Sequence, residues 1–309
     1  MPPAIILLLL VAAVLHATWN VLLKTAADPL RTAGVGMLVG AAFLVPIALI
    51  AWLVTGRTPI PDAAWRLAIL SGVLEAAYFA FLSAAYKRGD LSLVYPIARG
   101  TAPVLSVAVG VIVLGERLEP MGWVGVGLLL VGILSLQRPW AILGRGSALP
   151  RHLREAALFA LLTGVTITSY SAVDTEGARL IDPLFYAAML WTFTTLFLVC
   201  WIGLLIRRDH RRAASAPSTN AAEAPNATLA GQGAPGAPQS ILGRRWVRAG
   251  IGGLLTVGAY LFVLVAYRFA PLSAVAPLRE SAIVIISGWG SFRLKEARNR
   301  REGTTRLLV

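Results

Sequence analysis

Long apolar runs recur along the whole chain, separated by short polar stretches. A helix that crosses a bilayer needs about 20 largely apolar residues. Nine segments qualify or come close: 3–23, 33–55, 65–86, 91–114, 121–136, 155–173, 183–206, 246–267 and 273–292. The first has no basic stretch ahead of it and continues past His16, so it reads as a spanning helix and not as a cleaved signal. The fifth is the shortest and carries Gly122, Gly125, Gly127 and Gly132, which suits close helix packing. The pattern predicts an all-α, polytopic helical membrane protein.

The polar stretches differ in charge. Numbered in order, the odd loops and the C-terminal tail hold most of the 28 Lys and Arg residues. The even loops hold Arg57, Arg66, Arg117, Arg179 and Arg268, while Arg99 and Arg279 fall within helices. Basic residues gather on the cytoplasmic side. The odd loops are therefore expected in the cytoplasm and the N-terminus outside. The stretch 207–245 is rich in Ala, Pro, Ser and Gly, has no means of burying a core, and reads as a disordered cytoplasmic loop. The sequon Asn226-Ala227-Thr228 lies within it and is assigned no role.

Composition agrees with this reading. Charged residues make up 14% of the chain, against about 25% in soluble domains. The formal charge of +13 suggests nucleic acid or an anionic surface. Its distribution over the loops makes it a topology signal instead, and no nucleic-acid partner is expected. Cys200 is the single cysteine and sits in an apolar run. It offers neither an intrachain disulfide nor a metal site.

The chain also matches itself. The segment Tyr86-Lys87-Arg88-Gly89-Asp90-Leu91-Ser92-Leu93-Val94-Tyr95-Pro96 aligns with Tyr267-Arg268-Phe269-Ala270-Pro271-Leu272-Ser273-Ala274-Val275-Ala276-Pro277. Tyr, Leu, Ser, Val and Pro recur, and after a one-residue slip Leu114-Gly115-Glu116 aligns with Leu294-Lys295-Glu296. More weakly, Asn20 and Asp28-Pro29 pair with Asp174 and Asp182-Pro183. Each repeat reads as five helices, and an odd number inverts the second copy. The expected units are 1–140, a cytoplasmic linker at 141–153, and 154–309. Inverted repeats of this kind place a substrate site near the midplane between the copies.

The residues from Tyr86 to Leu118 resemble the third-to-fifth helix region of an EamA domain, with Gly115-Glu116-Arg117 as its most specific marker. His16-Ala17-Thr18-Trp19-Asn20 with Lys24 is similar to the first helix of some members. Nearly the whole chain resembles the drug/metabolite transporter superfamily, ten-helix type. That resemblance implies a secondary transporter, an exporter, in a bacterial inner membrane. It also implies a tenth helix. After Glu296 only a basic tail runs to Val309, so the expected form is two inverted five-helix repeats with the last helix missing.

A charge at the bilayer centre costs roughly 2.5–3.5 kcal/mol on insertion scales, so intramembrane charges face the bundle or a wet cavity. Glu75 is mid-helix, with Tyr78, Phe79, Leu82 and Tyr86 following and a seam of Gly72, Ala76, Ala80 and Ala84 beside it. It reads either as a ligand for a substrate ammonium or coupling proton, or as the structural partner of a buried Arg. Arg99 follows Pro96, and Arg279-Glu280 follows Pro277. Proline frees backbone carbonyls and opens helices, and Arg forks onto anionic groups. The alternative is charge compensation, Arg99 with Glu75 and Arg279 with Glu280 or with another helix. His16, Asn20 and Lys24 share one stripe of the first helix. Thr163, Thr166, Tyr170 and Asp174 form its counterpart in the sixth. Trp19, Tyr78 and Tyr95 are the expected wall of the cavity. Glu116 and Glu296 end helices at the interface and read as structural.

There is no metal cluster at ligand spacing, no nucleophile elbow and no phosphate-binding glycine loop, so no cofactor and no enzyme are expected. The leading reading is a secondary transporter of a small polar metabolite or drug. A membrane sensor or assembly subunit, or an intramembrane enzyme, are the alternatives.

Overall fold

The computed structural model describes residues 1–24, 26, 28–89, 91–137, 150–214 and 239–280. They form nine helices and no strand: α1 (Pro3–Lys24), α2 (Pro29–Val54), α3 (Asp62–Tyr86), α4 (Leu91–Ile112), α5 (Pro120–Gln137), α6 (Arg151–Leu180), α7 (Pro183–Ala214), α8 (Gln239–Phe269) and α9 (Leu272–Glu280). Among the described residues each apolar run is helical. The chain is an integral membrane protein: α2, α3, α6 and the apolar parts of α7 and α8 are each long and apolar enough to cross a bilayer. Large side chains such as Leu7, Phe43, Ile50, Leu128 and Leu204 point outward, as they must in a solvent of lipid tails.

Several boundaries differ from the sequence reading. α7 continues to Ala214 and α8 begins at Gln239, so both ends of the supposed disordered loop 207–245 are helical. Arg and Gln are good helix formers, and they extend an apolar helix beyond its hydrophobic length. Residues 215–238 lie outside the described residues. α6 likewise begins at Arg151, inside the stretch read as linker, with extended Pro150 as its N-cap residue. Of the ninth helix, 281–292 lies outside the described residues, as do Glu296 and the basic tail.

The halves of the chain interleave. α3 packs on α6 and α7, α1 packs on α8, α2 packs on α7 and α8, and α4 packs on α6 and α9. Sequence neighbours such as α1 and α2, or α3 and α4, touch little. The closest crossing is α2 with α8. A Cβ on Gly253 would overlap the Gly36 carbonyl, and Gly40 leaves room for Val257 and Trp191. Small residues let helix backbones approach this closely in lipid. The glycines of α5 do not serve this purpose: no other helix comes within 4 Å of a Cβ placed at Gly122, Gly125, Gly127 or Gly132, among the described residues. α5 touches chiefly α4 and α9, so it sits at the margin of the bundle.

The polar ends sort into two faces. Arg88, between α3 and α4, pairs with Glu155 at 3.3 Å, and Arg151 pairs with the same carboxylate at 3.1 Å. At the other end Glu116, after α4, accepts from the backbone N–H groups of Leu272 at 2.5 Å and Ser273 at 2.9 Å. Its carboxylate thereby satisfies two orphan donors at the start of α9. Arg179, near the end of α6, lies 3.6 Å from Glu116 and donates to the Tyr267 carbonyl. Loops three and five thus share one face, and loops four, six and eight the other.

Candidate functional site

The charged core is assembled from six helices, α3, α4, α6, α7, α8 and α9. Glu75 stands midway along α3. One turn earlier Gly72 lets α7 approach, so that a Cβ there would meet Phe193 and the Thr194 backbone. Thr194 Oγ1 then donates to Glu75 Oε2 at 2.8 Å. Asp174 on α6 accepts from Tyr186 OH of α7 at 2.9 Å, and from Tyr260 OH of α8. Both carboxylates are buried. Hydroxyl donors hold each of them, and neither forms an ion pair among the described residues.

The second charged group lies where α4 meets α9. Arg99 Nη1 donates to Glu280 at 3.1 and 3.3 Å in a buried salt bridge. The two residues stand 181 apart in sequence, the same shift that aligns Tyr86 with Tyr267. Arg279 Nη2 lies 3.4 Å from Glu280 Oε1. Its Nε and Nη1 have no hydrogen-bond partner among the described residues, although the side chain is only 2% exposed. Tyr267, Tyr170, Glu280 and Tyr260 are its electrostatic neighbours. Glu75 in turn feels Asp174 and Arg279. Three carboxylates and two guanidiniums therefore share one low-dielectric region.

Aromatic rings bound that region. Tyr78 and Tyr170 meet edge-on at 6.1 Å, Tyr170 meets Tyr260 at 6.1 Å, and Tyr260 meets Trp191 at 5.8 Å. On α1, Trp19 Nε1 donates to His16 Nδ1 at 3.1 Å. Arg99 and Arg279 are the charges that act on His16. Trp19 and Phe79 also line a crevice between α1, α2, α3 and α8, with Thr32, Met37 and Arg248.

Of the residues singled out from sequence, Glu75, Arg99, Arg279, Glu280, His16, Trp19, Tyr78, Tyr170 and Asp174 converge here. Asn20 lies on α1 and Tyr95 on α4, and their side chains are outside the described residues, as is that of Lys24. The proposed compensation of Arg99 by Glu75 is corrected: Arg99 takes Glu280 across the bundle, and Glu75 takes Thr194. Helical assignment runs unbroken through Pro277, because a proline this near the helix start costs a single backbone bond. Thr163 and Thr166 face inward, and their hydroxyls return to carbonyls of α6 itself. Sequence reasoning did not find Thr194, Tyr186, Tyr260 or Trp191. Each sits in an apolar run, where one Thr or Tyr looks like any other until a neighbouring helix is in place. Among the described residues no group of His, Cys, Asp or Glu is arranged to hold a metal ion.

Charges this deep are held by hydroxyls and rings and set between interleaved helices. Comparison with known proteins carries this further. Residues 3–137 match the EamA-like transporter family. The match covers α1 to α5 and hence Glu75, Arg99 and the crevice wall at Trp19. The spermidine export protein MdtI of Salmonella arizonae is 44% identical over 69 residues, which is 22% of this chain and 63% of that protein. Its counterpart in Salmonella paratyphi B is 42% identical over the same length. The chain thus spans less than two thirds of these relatives. A solved crystal structure, 18% identical, superimposes over 100% of this chain and 94% of its own with a TM-score of 0.62, which speaks to the fold.

Proposed function

We propose that the chain is a secondary transporter of the bacterial inner membrane that exports a small polar metabolite or drug. The observation that carries this reading is the buried set Glu75, Asp174, Arg99, Arg279 and Glu280, of which Glu75 and Asp174 stand on helices of bilayer-spanning length. Such groups are expensive in lipid and mark solute or ion paths. In this reading they form the midplane site, with His16, Asn20, Trp19, Tyr78, Tyr95 and Tyr170 on its walls. Glu75 is the coupling or ammonium-binding carboxylate.

Two inverted repeats, 1–140 and 154–309, build the site. The recurrence of helix pairings supports this, since α3 on α6 is matched by α8 on α1, and α3 on α7 by α8 on α2. The Arg99–Glu280 pair supports it too, because equivalent positions meet at a two-fold axis. The face that carries Arg88 and Glu155 is cytoplasmic, by the excess of basic residues in the odd loops, and the N-terminus is outside.

Spermidine is the first substrate to test. The relatives are named for its export, and neither Glu75 nor Asp174 has a cationic partner among the described residues. In proteoliposomes preloaded with unlabelled spermidine, the full chain is expected to accumulate labelled spermidine by counterflow. If neither spermidine nor a panel of amino acids, nucleosides, sugars and cationic drugs exchanges, the transporter reading fails.

A further inference from the structure

The spacing that pairs Asn20 with Asp174 and Asp28 with Asp182 also pairs Thr32 with Tyr186. The 181-residue shift of the Arg99–Glu280 pair also matches Phe79 with Tyr260, Gly252 with Ser71 and Thr256 with Glu75. Thr32, Phe79, Gly252 and Thr256 line the open crevice. Phe79 and Gly252 are buried while Thr32 and Thr256 are half-buried, and their mates Tyr186, Tyr260, Ser71 and Glu75 are all buried. The open crevice and the closed cluster are therefore equivalent places at opposite ends of the bundle.

What fills the closed one is visible. The Tyr186 ring lies so near the α6 backbone that a Cβ on Gly177 would overlap it. Its hydroxyl and that of Tyr260 both donate to Asp174. One carboxylate thus ties α6, α7 and α8 together. The open half lacks the means to copy this, because Phe79 has no hydroxyl where Tyr260 has one, and Thr32 has no ring where Tyr186 has one.

We propose that Asp174, Tyr186 and Tyr260 form a latch that closes the end of the path nearest loops six and eight, and that the crevice at Thr32 and Phe79 is the equivalent gate standing open. The latch must part for the path to open at the far end. Hydrogen bonds to a charged acceptor are strong, so the latch biases the chain towards the state seen here. The idea rests on the transporter reading for its purpose, but its test reads thiol exposure and not transport.

In full-length protein carrying Cys200→Ser, Ser71→Cys and Gly252→Cys are introduced separately, and their rates of modification by N-ethylmaleimide are measured. These probes are equivalent positions, and the structure leaves room for a side chain at Gly252, whose nearest neighbour is Leu22 Cδ1 at 4.0 Å. The thiol from Gly252→Cys is expected to react at least about tenfold faster. Adding Tyr186→Phe and Tyr260→Phe keeps both rings and removes both donors. Modification at Ser71→Cys should then rise by about tenfold while that at Gly252→Cys falls. Asp174→Asn, which keeps the shape, should move both rates the same way by less, and it serves if the double variant does not fold. Equal starting rates, unchanged rates, or a rise at both positions would each overturn the latch. Reciprocal rates without counterflow of any solute would keep the latch and reject the transporter reading; counterflow without reciprocal rates would do the opposite.

Discussion

At Glu75 a carboxylate is enclosed by α3 and α7, and the hydroxyl of Thr194 donates to it at 2.8 Å. A purely structural carboxylate at this depth normally has a cationic partner, because stranding a buried charge costs about 3–5 kcal/mol. Arg99 has its opposite charge in Glu280, and the contrast separates the roles of Glu75 and Arg99. Glu75→Gln keeps the shape and an oxygen that can accept from Thr194. The variant is expected to express and purify normally, with transport lost or made insensitive to pH. Wild-type transport with its usual pH dependence would remove Glu75 from the coupling machinery, and a collapse in expression would make it a structural residue. Legibility at this scale was uneven. Glu75, Arg99, Arg279 and Asp174 stood out because charges in apolar runs are rare. Their partners did not, since Thr194, Tyr186 and Tyr260 differ from lipid-facing Thr and Tyr only in what lies opposite.

Among the elements, the α2–α8 crossing carries the most demanding fit. Gly36 and Gly253 bring two backbones into contact, and Gly40 admits Trp191 and Val257. Gly253→Ala would push a methyl into the Gly36 carbonyl. It is expected to destabilise the protein by about 1–3 kcal/mol, the usual scale of overpacking. Gly127→Ala on α5 is the control. No described residue lies near it, and alanine favours helix over glycine by about 1 kcal/mol. Thermal unfolding in detergent should show a lower Tm for the first variant and an equal or higher one for the second. Equal losses in both would mean that the crossing is not specially tight. Among the described residues the close approach is made by Gly36, Gly40 and Gly253 and not by the α5 glycines that the sequence singled out. Four glycines in α5 look more like a packing seam than three spread over α2 and α8, but a seam exists only where two helices cross.

For the molecule as a whole, the open question is which face meets the cytoplasm. Arg88, Glu155 and Arg151 mark one face, and Glu116 and Arg179 mark the other. Basic residues concentrate around the first. A cysteine introduced at Ser215 in a Cys200→Ser background is therefore expected to stay protected from an impermeant thiol reagent in intact cells and to react after lysis. Rapid labelling in intact cells would reverse the orientation. The all-helical membrane class, the nine helices found among the described residues and the charged positions follow from sequence alone, because apolar run length and the cost of a charge in lipid are local properties. The repeat shift was also legible, since it is a property of the string. The pairing of Arg99 with Glu280, the hydroxyls on Glu75 and Asp174, and the crevice at Trp19 and Phe79 belong to the tertiary structure. They depend on which helices lie side by side, and helices far apart in sequence become neighbours only when the two halves interleave.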